Sequence, residues 1–213
     1  MADSRTFRSS AAPLRPPVNA APAVAFDWGY WMCPIDTAAD RFGPFAGLVA
    51  LWQSRRREDG GLPRRRDFKA EEFSEWMGRI FIAKIEHDPF DLRFTLWGST
   101  LCEWWRVDYT GQTLGTQSSD PDAWSVERRY FAEMARRPFF GFAGGSLSEY
   151  GRSHIKVIGL DLPLSNGTGL DQVLSAHLRI DVDRDLAQLL PDCPFVVFDD
   201  RAPATVGEAA VVW

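Results

Sequence analysis

Apolar residues along this chain recur first at helical spacing and then in alternation, and that change of period lays out the fold. Phe45, Leu48, Val49 and Trp52 fall at i, i+3, i+4 and i+7, one face of a helix that opens at Gly43-Pro44 and ends in Arg55-Arg56-Arg57. Asp59-Gly60-Gly61 breaks it, and Asp67 is placed to cap a second helix carrying Phe68, Phe73, Trp76 and Met77. Residues 80–86 then read as a strand and Asp88-Pro89-Phe90-Asp91 as a turn. Over 92–97, Leu92, Phe94 and Leu96 alternate with Arg93, Thr95 and Trp97, the pattern of a half-buried strand. Thr100-Leu101-Cys102-Glu103 fits a capping box for a short helix holding Trp104 and Trp105. Asp120-Pro121 predicts the start of a longer helix through Trp124, Tyr130, Phe131 and Met134. Three strands follow, at 139–149, 154–164 and 172–182.

Two strands, a helical block and three strands in succession predict an α+β fold: a five-stranded antiparallel sheet with helices on one face and an N-terminal amphipathic helix. Within 154–164 both Ile155/Val157 and Ile158/Leu160/Leu162 are apolar, so neither face of that strand can be wet. An apolar face left open marks an interface. The Phe45–Leu48–Val49–Trp52 stripe is the expected cover, either of its own sheet or of a partner's in a homodimer. The dimer is the expectation, because two-fold pairs are the commonest assembly.

Composition narrows the class. With 213 residues, 45% hydrophobic and nine tryptophans, the chain has enough material for one substantial core. A net charge of −5 gives no overall basic field for nucleic acid, and no apolar run approaches the roughly 20 residues that span a bilayer. Cys33, Cys102 and Cys193 lie far apart with no C-x-x-C spacing, so three reduced thiols and a cytoplasmic location are expected. Residues 1–25, rich in Ala, Pro, Ser and Arg, predict a disordered tail. Residues 26–185 form the expected domain and 186–213 a C-terminal extension.

The order of short motifs resembles a bacterial branch of the PAS sensory domains. Pro63-Arg64-Arg65 supplies a Pro-x-Arg element, Gly98 ends a strand, and Asp108-Tyr109-Thr110-Gly111 makes a D-x-T-G turn. Arg137-Pro138, Gly151-Arg152, Leu162-Pro163-Leu164-Ser165 and Asp171-Gln172-Val173-Leu174 continue the resemblance, which spans roughly residues 45–183. It implies a five-stranded sheet under a helical cap, a ligand-sensing or interaction module, and structural roles for Arg65, Gly98, Asp108, Thr110 and Gly111. Two positions depart from the family pattern: Thr95, where relatives commonly carry arginine, and Arg106, where they tend to carry glycine. No particular ligand or cofactor is carried over.

Enzymatic signatures are missing: the chain has no G-x-S-x-G, Walker loop or G-x-G-x-x-G. Gly141-Phe142-Ala143-Gly144-Gly145 lies inside a strand, where a bulge or a close backbone approach is the better reading than a phosphate cradle. His87, His154 and His177 lack the i+3 or i+4 partners of a structural zinc site. His177 points away from the apolar face of its strand. It is read either as a solvated or dimer-facing residue or as a pocket-lining group that titrates near neutrality. Cys102 has no cationic neighbour in sequence to activate its thiol. The arginines at 55–57 and 64–66 flank only Glu58 and Asp59 and are read as a solvated helix end and loop, or as an anion or acidic-partner site.

The expected ligand pocket collects Trp97, Cys102, Trp105, Tyr109, Tyr130, Phe131 and His177. The function expected is a stand-alone sensory protein that binds a small molecule or a protein partner and signals through contacts with a separate output protein. It would use neither nucleic acid nor membrane. A ligand-free dimeric scaffold is the alternative. An enzyme using Asp108 or His177 as general base is the reading least supported, since no base–nucleophile pair is visible.

Overall fold

A computed structural model describes residues 28–114, 125–167, 169–190 and 196–197. One antiparallel sheet organises them. Its strands are β1 (Gly29–Cys33), β2 (Ile80–His87), β3 (Phe90–Trp97), β4 (Phe140–Leu147), β5 (Arg152–Ser165), β6 (Leu170–Ile180) and β7 (Val196–Val197). Their spatial order is β3-β2-β6-β5-β4-β1-β7. The five expected strands are all present, and β1 and β7 lengthen the sheet from five to seven beyond β4. The C-terminal extension thus contributes β7, paired to Trp31 and Met32 of β1.

The long β5–β6 ladder is the spine, in register from Lys156↔Ile180 to Ser165↔Leu170. Two cross-strand rows define one face. Gly141, Asp161, Ser175, Phe81 and Trp97 are successive partners across β4, β5, β6, β2 and β3. Beside them run Tyr30, Ala143, Gly159 and His177 across β1, β4, β5 and β6. Helices α2 (Ser99–Trp105) and α3 (Ser125–Arg136) cover this face. The Asp120-Pro121 start and Trp124 lie outside the described residues, as does the tail at 1–25.

The opposite face carries Phe142, Leu160, Ala176 and Ile80 in one row, and Phe140, Leu162 and Leu174 in the next. Helix α1 (Ala46–Ser54), with the 3-10 turns Ala39–Phe45 and Ala70–Trp76, closes it. Phe45 stacks on Trp76 at 5.3 Å, Trp52 meets Phe140 edge-on at 4.8 Å, and the Trp52 indole N–H donates to Pro163 O at 2.8 Å. Phe45, Leu48, Val49 and Trp52 are all buried within this one chain. The stripe read as a dimer helix therefore covers its own sheet, and its atoms are unavailable to a partner. Both faces of β5 are dry because each has its own helical layer.

Local starts differ from the expectations in instructive ways. Gly43, at φ 50° and ψ −121°, kinks the segment before α1, so Pro44 lies in the preceding turn and not at the first helical position. The Asp67 carboxylate closes the short turn Arg65–Asp67 by accepting the Arg64 backbone N–H at 2.8 Å. The next turn is closed by Glu72 accepting from Lys69 N. At α2 the backbone oxygen of Gly78 accepts from Thr100 N and Leu101 N, replacing the expected capping box. Cys33 also departs from expectation. It is disulfide-bonded, with its partner outside the described residues, whereas Cys102 is a free thiol.

Candidate functional site

The helix-covered face is built from small residues under large polar ones. Gly141 lies beneath Tyr130 of α3, where a Cβ would come within 1.8 Å of the phenol oxygen. That contact lets Tyr130 reach across the sheet and donate its hydroxyl to Asp161 Oδ2 at 3.0 Å. Asp161 is 2% exposed and faces Ser175 across the β5–β6 ladder. Towards β1, the Tyr30 ring lies 5.1 Å from that of Tyr130 and its hydroxyl donates to Glu127 Oε1 at 2.9 Å. Of the bulge and the close approach expected for 141–145, Gly141 provides a close approach, by the Tyr130 side chain of α3.

An aromatic cage flanks this polar row on the α2 side. Phe81 and Trp97 stack at 5.4 Å, Trp105 meets Trp97 edge-on at 5.6 Å, and Tyr109 lies 4.6 Å from Trp97. His177 completes the cage, 5.5 Å from Phe81 and 5.7 Å from Trp105. Its imidazole lies over Gly159, the neighbour across the ladder. Among the described residues, neither His177 Nδ1 nor Trp97 Nε1 has a hydrogen-bond partner, although both atoms are buried. Buried donors and acceptors without partners are uncommon and ask for an explanation in function.

Burial sets the charge states. It drives the His177 imidazole from 6.5 down to about 3, against the opposing pull of the Arg79 backbone. The ring is neutral across the physiological range, which corrects the expectations of a solvated histidine and of one that titrates near neutrality. Burial raises the Asp161 carboxyl from 3.8 to about 6, with Ser175 and Tyr130 acting to hold it down. Tyr130 is pushed well above the ordinary phenol range, first by burial and then by Asp161. At neutral pH the face presents a largely ionised buried carboxylate, held by a phenol that stays protonated, with a neutral imidazole on β6 two residues beyond Ser175, the partner of Asp161. Asp161 and His177 are diagonal neighbours across the β5–β6 ladder, roughly 7–8 Å apart.

Of the expected pocket residues, Trp97, Trp105, Tyr109 and His177 come together in the cage, while Tyr130 and Phe131 lie on α3 against each other at 4.9 Å. Cys102 is half-buried on α2, and burial followed by Asp108 raises its thiol, so it is a poor nucleophile. Sequence reading missed Asp161, Ser175 and Tyr30. The usable signal was one acid in the otherwise apolar 158–164 run, opposite Gly141.

The motif residues act structurally. A Cβ on Gly98 would come within 2.3 Å of Gly78 O, so glycine alone lets β3 pass under the α2 cap. Asp108 Oδ1 accepts from Thr110 N at 2.9 Å, and Gly111, at φ 84°, returns its N–H to Phe94 O. Asp108 is thus engaged in the turn and not poised as a base. Arg65 donates to Phe68 O and lies over the Phe73 ring. Thr95, at the β2–β3 bulge, donates its hydroxyl to Ile82 O. Among the described residues no group of three His, Cys, Asp or Glu side chains could hold a metal ion, and no helix is long and apolar enough to cross a membrane.

A family model described as PAS domain matches residues 43–169. That span runs from the kink before α1 to the β5–β6 hairpin and includes the helices over both sheet faces. No curated protein and no solved structure matches the chain significantly.

Proposed function

The chain belongs to the PAS domain family, a sensory type of module, and we propose that it senses a small molecule held between the sheet and helices α2 and α3. The observation that carries this reading is the pairing of unpartnered, buried His177 Nδ1 and Trp97 Nε1 with the Asp161 carboxylate on one sheet face. Leaving such groups unsatisfied costs about 1–3 kcal/mol each, so a ligand that satisfies them is strongly favoured. Its chemistry follows from theirs. The carboxylate accepts, the indole donates, and the neutral imidazole does either. The matching ligand is a compact, partly aromatic molecule with at least one donor and one acceptor, uncharged or cationic.

Signal output in this proposal passes through protein contacts to a separate protein. Helix α3 is the natural reporter, because Tyr130 links it to Asp161 at the proposed site. The test is native mass spectrometry of the protein purified from its source, followed by thermal-shift screening against a metabolite panel. A co-purifying small molecule, lost in His177→Ala and Asp161→Asn, is the expected result. Absence of any bound mass together with no shift across the panel overturns the ligand and leaves an interaction module.

A further inference from the structure

At the β5–β6 hairpin end of the sheet, the Pro-x-Arg segment borders a groove of about 370 Å³. It falls in the range of about 300–1,000 Å³ typical of small-molecule sites. Four cations line it: Arg64, Arg65, Arg66 and Lys84. Asp171 is the one acid in its wall, and Asn166 and Gln172 supply neutral hydrogen-bonding groups.

The charge here is unlike that of the neighbouring arginine run at 55–57. The chain carries −5 overall, and its other arginine run is neutralised locally: Arg55 pairs with Glu72, Arg56 with Asp36 and Arg57 with Asp59, each at 2.5 Å. Among the described residues, no ion pair engages Arg64, Arg65, Arg66 or Lys84. Arg64 Nε is buried there without a hydrogen-bond partner. The backbone holding these cations is fixed by Ser165 N donating to Pro63 O at 2.9 Å and by Lys84 pairing in register with Gln172. Arg65 donates to Phe68 O and lies over the Phe73 ring, and Lys84 acts electrostatically on Asp171, so one acid faces four cations, which repel one another on a rigid frame unless a further anion joins them.

We propose that this groove binds a small phosphorylated molecule, of the nucleoside phosphate class. A single carboxylate would occupy one guanidinium, whereas four cations against one acid match a ligand carrying two or more negative charges. Arginine forks suit phosphate oxygens in paired hydrogen bonds, and lysine adds a point charge. Asp171, Asn166 and Gln172 are then placed for the hydroxyls and base edge of the neutral part. The groove lies at the β5–β6 hairpin end and shares no lining residue with the His177 cage, so the inference stands apart from the sensory ligand proposed above.

The experiment is isothermal titration calorimetry of the full chain with ADP and with inorganic pyrophosphate, at low and at raised salt. Arms with phosphatidylglycerol vesicles and a poly-glutamate peptide separate other sources of negative charge. Arg66 and Lys84 are both exposed, so Arg66→Gln/Lys84→Gln leaves the core untouched. Arg136→Gln, which removes an exposed arginine paired to Glu133 on α3, is the control. Expected are binding of ADP and pyrophosphate that weakens with salt, a loss of roughly 100-fold in the double variant, and no change in the control. The proposal is overturned by no binding of either probe at millimolar concentration, by equal binding in the double variant, or by binding to vesicles or poly-glutamate alone.

Discussion

The imidazole of His177 occupies the space that a side chain on Gly159 would need: a Cβ there would lie 2.7 Å from Nε2 and 2.9 Å from Cδ2. The ring cannot move aside, since Phe81 and Trp105 flank it. Gly159→Ala is expected to destabilise the fold by about 1–3 kcal/mol, the usual cost of overpacking a dense core. In a His177→Ala background the same substitution should cost far less. Urea unfolding of the double-mutant cycle measures that coupling, and equal costs in both backgrounds would place the strain elsewhere.

The two buried titrating groups act on stability with opposite signs. Asp161 has its folded value raised from 3.8 to about 6, so the unfolded chain loses this proton first and stability falls as pH rises through that window. His177 has its folded value lowered from 6.5 to about 3, so stability is full above 6.5 and is lost as pH falls towards 3. Between pH 6 and 4 the two slopes cancel in the wild type. Asp161→Asn should therefore lose stability on acidification more steeply than wild type, by on the order of 1 kcal/mol per pH unit. His177→Gln should gain stability relative to wild type over the same window. Thermal melts at three pH values separate these outcomes, and parallel curves for all three proteins would refute the assignment.

Much of the fold was legible because its signals are local. Period-2 alternation located β3, and the two-sided apolarity of 154–164 called for a cover on the second face of β5, expected from a dimer partner and supplied instead by α1 of the same chain. The site was legible in part. Trp97, Trp105 and Tyr109 stood out as aromatics beside a recognisable turn, yet their meeting with His177 depends on β6 pairing with β2, which no local pattern reports. Asp161 was hidden because period-2 reading treats a lone acid as an interruption, and its partner Tyr130 is 31 residues away. β1 escaped notice because its pairing is wholly non-local, to β4 and β7. The 3-10 turns at Arg65–Asp67 and Ala70–Trp76 escaped because helical apolar spacing does not separate a short tight turn from a full helix.

Arg106 takes the left-handed conformation that ends α2, at φ 58° and ψ 27°. A side chain there crowds the following carbonyl, whereas glycine enters this region without that clash. Arg106 departs from the glycine expected at this position, and the left-handed cap is the physical reason glycine would suit it. Arg106→Gly is expected to stabilise the protein by about 0.5–1 kcal/mol, the left-handed penalty less the entropy of a freer unfolded chain. Chemical denaturation with unchanged m-value checks it; a destabilised variant would mean that the arginine side chain makes a contact worth more than the strain.

Trp52 tests which sheet the N-terminal helix covers. Its side chain is fully buried, edge-on to Phe140, and its indole N–H donates to Pro163 O at 2.8 Å inside β5. Trp52→Phe keeps a ring in the layer but leaves the Pro163 carbonyl without that donor, which should cost about 1–3 kcal/mol. Leu48→Glu with Trp52→Glu goes further, placing two carboxylates in a dry layer where an unpaired charge is costly. If the stripe covered a partner's sheet, the double variant would yield a folded monomer with a native melting transition. Coverage of its own sheet predicts loss of the cooperative transition instead, while Trp52→Phe keeps the wild-type mass by light scattering and melts earlier. A folded, stable monomer from the double variant would contradict the intramolecular layer, because both carboxylates would then have to reach water without opening the α1 side of the core.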